Sequence, residues 1–239
     1  MPQVFNFKQF SISQDQCAMK VGTDGVLLGS WVSSPSTPKR VLDIGTGTGL
    51  ISLMLAQRFS SSIIDAIEID AASSRQATNN FLNSPWSNRL SCTCESFQNY
   101  ASKKKHCYSL IVSNPPFFAN GQKTNSQQRN QARFEQALPF DDLLKGVSIL
   151  LSPEGVFCVI IPFDQEEIFL SIAQKYELSL SKITRTKGNK NAPIKRSLLQ
   201  LSFQNKKDIL QEDMMILEKE RHVYTDQYKE MVKDFYLKL

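Results

Sequence analysis

The sequence predicts an α/β fold, a mostly parallel seven-stranded sheet with helices on both faces and an antiparallel hairpin at its C-terminal end. Three observations predict it. From Arg40, short apolar runs rich in β-branched residues alternate with helix-length segments. A glycine-rich turn directly follows the first run. The last two extended runs are joined by a polar connection too short to hold a helix.

Taken in order, RVLDI (40–44) reads as the first strand and Leu50 to Phe59 as the helix behind it. SIIDAIEI (62–69) is a strand, Ala71 to Leu82 a helix, LSCTC (90–94) the third strand and YSLIVS (108–113) the fourth. A polar insertion spans 118–135. Asp141 is expected to cap a helical run ending at Leu151, and GVFCVIIP (155–162) is the fifth strand, closed by Pro162. A helix fills Gln165 to Tyr176, after which LSLSKITRT (178–186) and RSLLQLSF (196–203) form the hairpin. YTDQYKEMVKDFYLKL near the end carries the apolar spacing of an amphipathic helix. Residues 1–36 are expected to be an N-terminal lid or extension, 37–205 the sheet domain, and 206–239 an extension packed on it.

With 239 residues and 41% hydrophobic content the chain can bury a full core. Its first residues lack the basic and apolar regions of a secretion signal, and no apolar run reaches the roughly 18 residues of a membrane span, so a cytoplasmic protein that avoids membranes is expected. The five cysteines (Cys17, Cys92, Cys94, Cys107, Cys158) lie in or beside apolar segments, as reduced thiols do. Cys92 and Cys94 lack a second pair nearby, and no metal is expected. Nothing requires a second copy of the chain. The net charge of +5 decides little, but its distribution says more. Between Lys182 and Arg196 stand six basic residues and no acid, with Lys187, Lys190, Lys195 and Arg196 toward the hairpin tip. Such a cluster suits phosphate contact, as does the Lys103 to Lys105 triplet.

The first strand ends in Asp43-Ile44-Gly45-Thr46-Gly47-Thr48-Gly49, which places a glycine-lined turn at the carboxyl end of a central strand, where ligands of such sheets bind. Leu50 stands where a dinucleotide fingerprint needs its third glycine, and no lysine completes a phosphate loop. Asp43, two residues before the first glycine, would repel pyrophosphate but attract a cationic amine such as that of S-adenosylmethionine. Glu68, 19 residues beyond Gly49, can accept both hydroxyls of a ribose, with Ile69 beside it to pack on adenine.

Strand four ends in Asn114-Pro115-Pro116-Phe117, which suits methyl transfer to a planar amine. The lone pair of an exocyclic amino nitrogen is delocalised into its base, so the group must be held in line while acceptors engage its hydrogens. The Asn114 side-chain oxygen and the Pro115 carbonyl are such acceptors, consecutive prolines stiffen the backbone, and Phe117 offers a ring for an extruded base. No nucleophilic triad competes; His106 and His222 are the only histidines.

DIGTGTG, the acid in IEID, and NPPF, in that order and spacing, resemble the Rossmann-like class I methyltransferases that modify amino groups of adenine, guanine or glutamine. QDQCAMKVGTDGVLLGSW, the SPW at 84–86, KRSLLQL and TDQYKEMVKDFYLKL resemble the bacterial tRNA adenine-N6-methyltransferases that act on adenosine 37 of a valine tRNA. The resemblance implies S-adenosylmethionine as cofactor, held by Asp43, Gly45, Thr46, Gly47, Gly49, Glu68 and Ile69, with Thr23 and Asp24 on the methionine side. Glu95, Ser96 and Phe97 occupy the place after strand three where many relatives carry an adenine-contacting Asp. It further implies tRNA as partner, met by Lys123, Arg129 and Arg133 of the insertion together with the basic hairpin. Guanine N2 of ribosomal RNA and protein glutamine stay open as targets of the same tetrapeptide. A non-catalytic RNA-binding protein and a nicotinamide oxidoreductase are the readings from other classes.

Overall fold

The computed structural model describes residues 3–34, 36–103, 105–116, 138–204, 209–212, 215–221 and 223–238. Its strands are β1 (Val4–Asn6), β2 (Ser11–Ser13), β3 (Arg40–Ile44), β4 (Ile63–Glu68), β5 (Leu90–Cys94), β6 (Tyr108–Ser113), β7 (Leu151–Pro162), β8 (Ser179–Asn189), β9 (Ile194–Ser202), β10 (Leu210–Gln211), β11 (Met215–Glu220) and β12 (Val223–Tyr224). Its helices are α1 (Thr23–Trp31), α2 (Leu50–Arg58), α3 (Ala71–Leu82), α4 (Phe97–Ser102), α5 (Phe140–Leu150), α6 (Glu166–Lys175) and α7 (Asp226–Val232).

The expected seven strands lie side by side in the order β8-β9-β7-β6-β3-β4-β5. Strands β3 to β7 run parallel, and β9 pairs antiparallel with both β7 and β8. The strand count needs correction, because among the described residues the sheet has ten strands: β11 adds parallel to β8, β12 pairs with β11, and β10 also pairs with β8. The tail beyond 205 therefore reaches its short helix α7 only after three strands. Their signal was faint because MILEKE alternates poorly and LQ and VY are two residues each.

Smaller differences have local causes. Pro139 caps α5 and places Asp141 inside its first turn, where the carboxylate faces the positive helix end. Strand β7 starts at Leu151, so its Gly155 lies inside the strand. Helix α4 is only six residues long, too short for a periodic pattern, and Ser96 caps it by accepting a hydrogen bond from the Asn99 amide.

Two buried clusters cover the two sheet faces. One joins α1, α2, α3 and the β1–β2 hairpin, with Phe7, Phe10, Ile12, Leu27 and Leu28 packed beside Leu53, Met54 and Phe81. The other joins α4, α5 and α6 through Phe97, Tyr100, Leu143, Val147 and Phe169. Helices on opposite faces follow strands on either side of the β3/β6 boundary, so the chain reverses its winding there, and a crevice opens at the carboxyl ends of those two strands. The N-terminal segment forms part of the first cluster, and it meets the C-terminal segment where Phe7 bridges to Tyr236. No helix among the described residues is long and apolar enough to cross a membrane.

One close approach fixes how α4 sits on α5. A β-carbon on Gly146 would fall 2.3 Å from Cε1 of Phe97. Gly146→Ala would gain up to about 1 kcal/mol from helix propensity alone. It is expected instead to destabilise the protein by about 1–3 kcal/mol through overpacking, measured by chemical denaturation. Unchanged stability would mean that the ring swings aside freely.

Candidate active site

The strand registers bring the site together. Ile44, the last residue of β3, pairs with Ile67 of β4 on one side and Ser113 of β6 on the other. The glycine loop, Glu68 and Asn114 thus leave three adjacent strands at the same sheet edge. Ser113 strengthens the junction by donating its Oγ hydrogen to the Ile44 carbonyl at 3.0 Å.

Gly45, Gly47 and Gly49 all have positive φ (69°, 57° and 85°), which L side chains rarely adopt. A β-carbon at Gly45 or Gly47 would meet nothing within 4 Å, so the loop leaves open space above itself, whereas one at Gly49 would strike the Phe81 ring at 2.5 Å. The Gly45 and Thr46 amides donate to the Ile67 carbonyl at 2.9 and 3.1 Å. The Gly47 amide donates to Glu68 Oε2 at 2.9 Å, and the Asp70 amide to Glu68 Oε1 at 3.0 Å. Glu68 therefore ties the loop to the next strand, and each of its oxygens keeps a second acceptor position.

Asp43 is fully buried. Its Oδ2 accepts from Thr46 Oγ1 at 2.6 Å, Ser52 Oγ at 2.7 Å and the Ser52 amide at 3.2 Å. Burial, with a smaller contribution from the nearby Glu68 charge, pushes its carboxyl up to about 6 against these hydrogen bonds. One oxygen is thus spent holding the loop, because a carboxylate inside the turn is the acceptor its donors need. The other oxygen, Oδ1, is buried without a hydrogen-bond partner among the described residues. Asn114 Oδ1 is in the same condition, two residues past Val112, the neighbour of Asp43 on β6. A buried orphan acceptor costs roughly 1–3 kcal/mol, a cost that donors on a ligand would offset.

Other candidates are placed less directly. Ile69 is half exposed beside Glu68, an apolar surface for a ring. Gly25 lets α1, which begins with Thr23 and Asp24, pack closely on Leu50 and Ile51 at the start of α2. Asp24 is held by Arg196, whose Nε donates to its Oδ2 at 2.8 Å. Two residues expected to serve different ligands thus neutralise each other, and Arg196 acts as a tie between β9 and α1. Glu95 is paired with Lys103. Ser96 is the α4 cap and Phe97 is 5% exposed in the core. Phe97 accordingly holds α4 in place and is not open to a cofactor. Pro115 is buried and Pro116 exposed, while Phe117, Lys123, Arg129 and Arg133 fall outside the described residues. Lys187 donates to the Lys190 carbonyl at 2.7 Å, and Lys190 and Lys195 are exposed at the hairpin tip. Burial pushes the Cys92 thiol up to about 11, away from the thiolate a metal would need.

Sequence reasoning missed Ser52 and Asn80. Asn80 donates to the Thr48 carbonyl at 2.8 Å and to the Ser13 carbonyl at 2.9 Å, joining the loop to the N-terminal segment. Ser52 is a polar residue within the apolar run of α2, and that mismatch was its available signal, whereas Asn80 stands in a helix with other buried polar residues and had no such signal.

A doubly wound sheet with an acid-lined glycine loop beside an Asn-Pro-Pro turn defines a Rossmann-like methyltransferase. The family model "Methyltransferase small domain" matches residues 19–139. The chain is 50% identical over 236 residues to a tRNA1(Val) (adenine(37)-N6)-methyltransferase of Flavobacterium psychrophilum, covering 99% of this chain and 100% of the relative. It is 50% identical over 239 residues to the protein of the same name from Christiangramia forsetii, covering 99% of each. The chain belongs to this tRNA1(Val) (adenine(37)-N6)-methyltransferase family. Its fold is similar to the crystal structure of a predicted O-methyltransferase from Agrobacterium tumefaciens, with TM-score 0.68 at 16% identity over 89% of this chain and 96% of that one.

The raised Asp43 carboxyl gives a pH dependence. Its ordinary value is 3.8 and its folded value about 6, so the folded state holds the proton more tightly than the unfolded chain. The stability this group contributes is fully present below its ordinary value and lost as pH rises through about 6. Urea unfolding of wild type and Asp43→Asn near pH 4 and near pH 7.5 is expected to show their difference moving against wild type by about 2–3 kcal/mol. Parallel pH profiles would remove the buried charge from the account.

Proposed function

We propose that this chain transfers a methyl group from S-adenosylmethionine to the N6 amine of an adenosine in tRNA, adenosine 37 of a valine tRNA. One observation carries the reading: a buried, orphaned carboxamide oxygen on Asn114 stands at the same sheet edge as the Asp43 and Glu68 carboxylates and the open glycine loop.

The residues fit a cationic adenosine ligand. Asp43 and Glu68 receive their hydrogen bonds from hydroxyls and amides, so their negative charge is left for a cation to balance. The spare acceptor positions of Glu68 suit ribose hydroxyls, the half-exposed Ile69 suits adenine, and the glycine loop suits the body of the cofactor. When bound, S-adenosylmethionine supplies an electrophilic methyl group. Asn114 Oδ1 and the Pro115 carbonyl accept the two hydrogens of the target amine, which turns its lone pair out of the base plane and sets it in line for transfer. Neither Pro115 nor Pro116 carries a backbone donor that would compete for those acceptors. A tRNA loop suits this edge, since a single-stranded base is splayed out at lower cost than a paired one.

Three measurements test the reading. Asn114→Ala is expected to lower methyl transfer to a valine tRNA transcript by about 100-fold or more while cofactor affinity stays within a few-fold, as loss of an amine-orienting group should. Nucleoside mass spectrometry must find N6-methyladenosine; the label appearing in N2-methylguanosine or a peptide glutamine would overturn the assignment. Replacing Lys187, Lys190 and Lys195 together by Ala is expected to weaken tRNA binding and lower the salt-dependence slope by about 2–3. An unchanged slope would remove the hairpin tip from the RNA surface.

A further inference from the structure

The turn after β7 carries a feature that the methyl-transfer site does not use. Phe163, immediately beyond Pro162, remains 38% exposed although it is a large aromatic residue. The Arg185 guanidinium lies over its ring, 5.7 Å from the centroid. Arg185 is itself fixed by a two-point bond to Glu166, with Nε to Oε2 at 3.0 Å and Nη2 to Oε1 at 2.6 Å. Glu166 is 6% exposed and also accepts from Ser197 Oγ at 2.5 Å. Glu166 of α6, backed by Ser197 of β9, thus fixes the guanidinium plane of Arg185 against the exposed ring. The core gains little from that arrangement, because the ring they steady is not buried.

The registers locate this pair relative to the site. Ser113 of β6 pairs with Val159 of β7, so Asn114 lies one residue past that rung and Phe163 four residues past it. At about 3.3 Å per residue, Phe163 overhangs Asn114 by about 10 Å, one strand aside. On its other flank Pro162 pairs with Arg196, and because β9 runs the opposite way, Lys195 stands next outward beside Phe163. Ile194 pairs with Lys187, and Lys190 sits at the tip beyond. An exposed ring within reach of the amine-binding turn, flanked by exposed lysines on the outer side, is the arrangement that binds single-stranded nucleic acid: bases stack on flat groups while cations meet the phosphates.

We propose that Phe163 and Arg185 form a stacking ledge for a nucleotide flanking the target adenosine, holding the single-stranded RNA on either side of the extruded base. The inference rests on the proposed tRNA reaction and makes Phe163 a positioning residue. Its contribution falls on RNA binding and not on the chemistry at the amine.

The test uses the full-length protein and a valine tRNA transcript carrying 2-aminopurine at each neighbour of adenosine 37 in turn. In wild type, at least one neighbour is expected to lose fluorescence on binding, as a base does when it stacks. Phe163→Tyr should keep that quenching, while Phe163→Ala and Phe163→Leu should lose it and raise the KM for tRNA about 5- to 150-fold, the range that base-aromatic stacking supplies. Their kcat at saturating tRNA and their affinity for S-adenosylmethionine should change less than about threefold. Melting temperatures and cofactor affinity report whether each variant is folded, and Phe163→Leu retains the apolar bulk in case Phe163→Ala does not fold. Equal quenching and equal KM in wild type and Phe163→Leu would overturn the ledge. Methyl transfer by wild type to the same transcript, read by nucleoside mass spectrometry, checks the reaction separately, because the fluorescence change requires binding and not turnover.

Discussion

The site depends on a carboxylate placed where carboxylates are disfavoured. Asp43 sits fully buried at the carboxyl end of β3 and gathers the Thr46 hydroxyl, the Ser52 hydroxyl and the Ser52 amide onto one oxygen. That gathering folds the glycine loop back on its own strand and fixes where α2 begins. Desolvation opposes the charge, as the raised carboxyl records. The arrangement is tolerable because the loop returns hydrogen bonds to one oxygen, and it remains incomplete because the other oxygen has no partner among the described residues. A site with this imbalance gains by taking up a cation, which is the property the proposed chemistry needs.

The second constraint is the change of winding between β3 and β6. Helices α2 and α3 cover one face and α4 to α6 the other, so the strands on either side of this boundary diverge above the sheet edge. Glu68 reaches across from β4 to hold Gly47, and Ser113 reaches across from β6 to hold Ile44. These two bonds set the spacing between the cofactor side and the target side. The N-terminal segment closes the same region from outside, since Asn80 binds Thr48 of the loop and Ser13 of the segment with one amide group.

How much of this was legible in the sequence follows from how each feature is encoded. Strands β3, β4, β6 and β7 are largely buried and read as continuous apolar runs, and the glycines at 45, 47 and 49 mark backbone that only their lack of a side chain permits. The site was therefore visible as motifs. What was not visible was what those side chains face. Asp43 could point outward or inward from its strand end, and only the donors on Thr46 and Ser52 decide for inward. Phe97 follows Glu95 and Ser96 in a stretch that suggests ligand contact, yet Gly146 on α5, distant in sequence, provides the slot that draws its ring into the core. The Asp24–Arg196 pair spans 172 positions and joins residues that separate arguments had assigned to cofactor and RNA. The extra strands β10 to β12 escaped because their register comes from pairing, of β10 and β11 with β8 and of β12 with β11, and not from their own alternation.

The distribution of charge along the sheet edge links these points to function. Acids cluster at the β3 to β5 end, in Asp43, Glu68, Asp70 and Glu95, while the β8–β9 end carries Lys187, Lys190 and Lys195. A uniformly basic edge would draw RNA phosphates onto the cofactor acids' own ground and weaken the hold on a cationic ligand. A uniformly acidic edge would repel RNA altogether. In the proposed function, dividing the edge lets one sheet bind a cation and a polyanion side by side; Arg196, on β9 at the basic end, already has its charge balanced by Asp24. The Asn114 turn lies between the two fields, where, in the proposed reaction, a base delivered from the basic side meets a methyl group held on the acidic side. On that proposal the order of strands in the sheet, more than any single residue, brings the two ligands together at one amine.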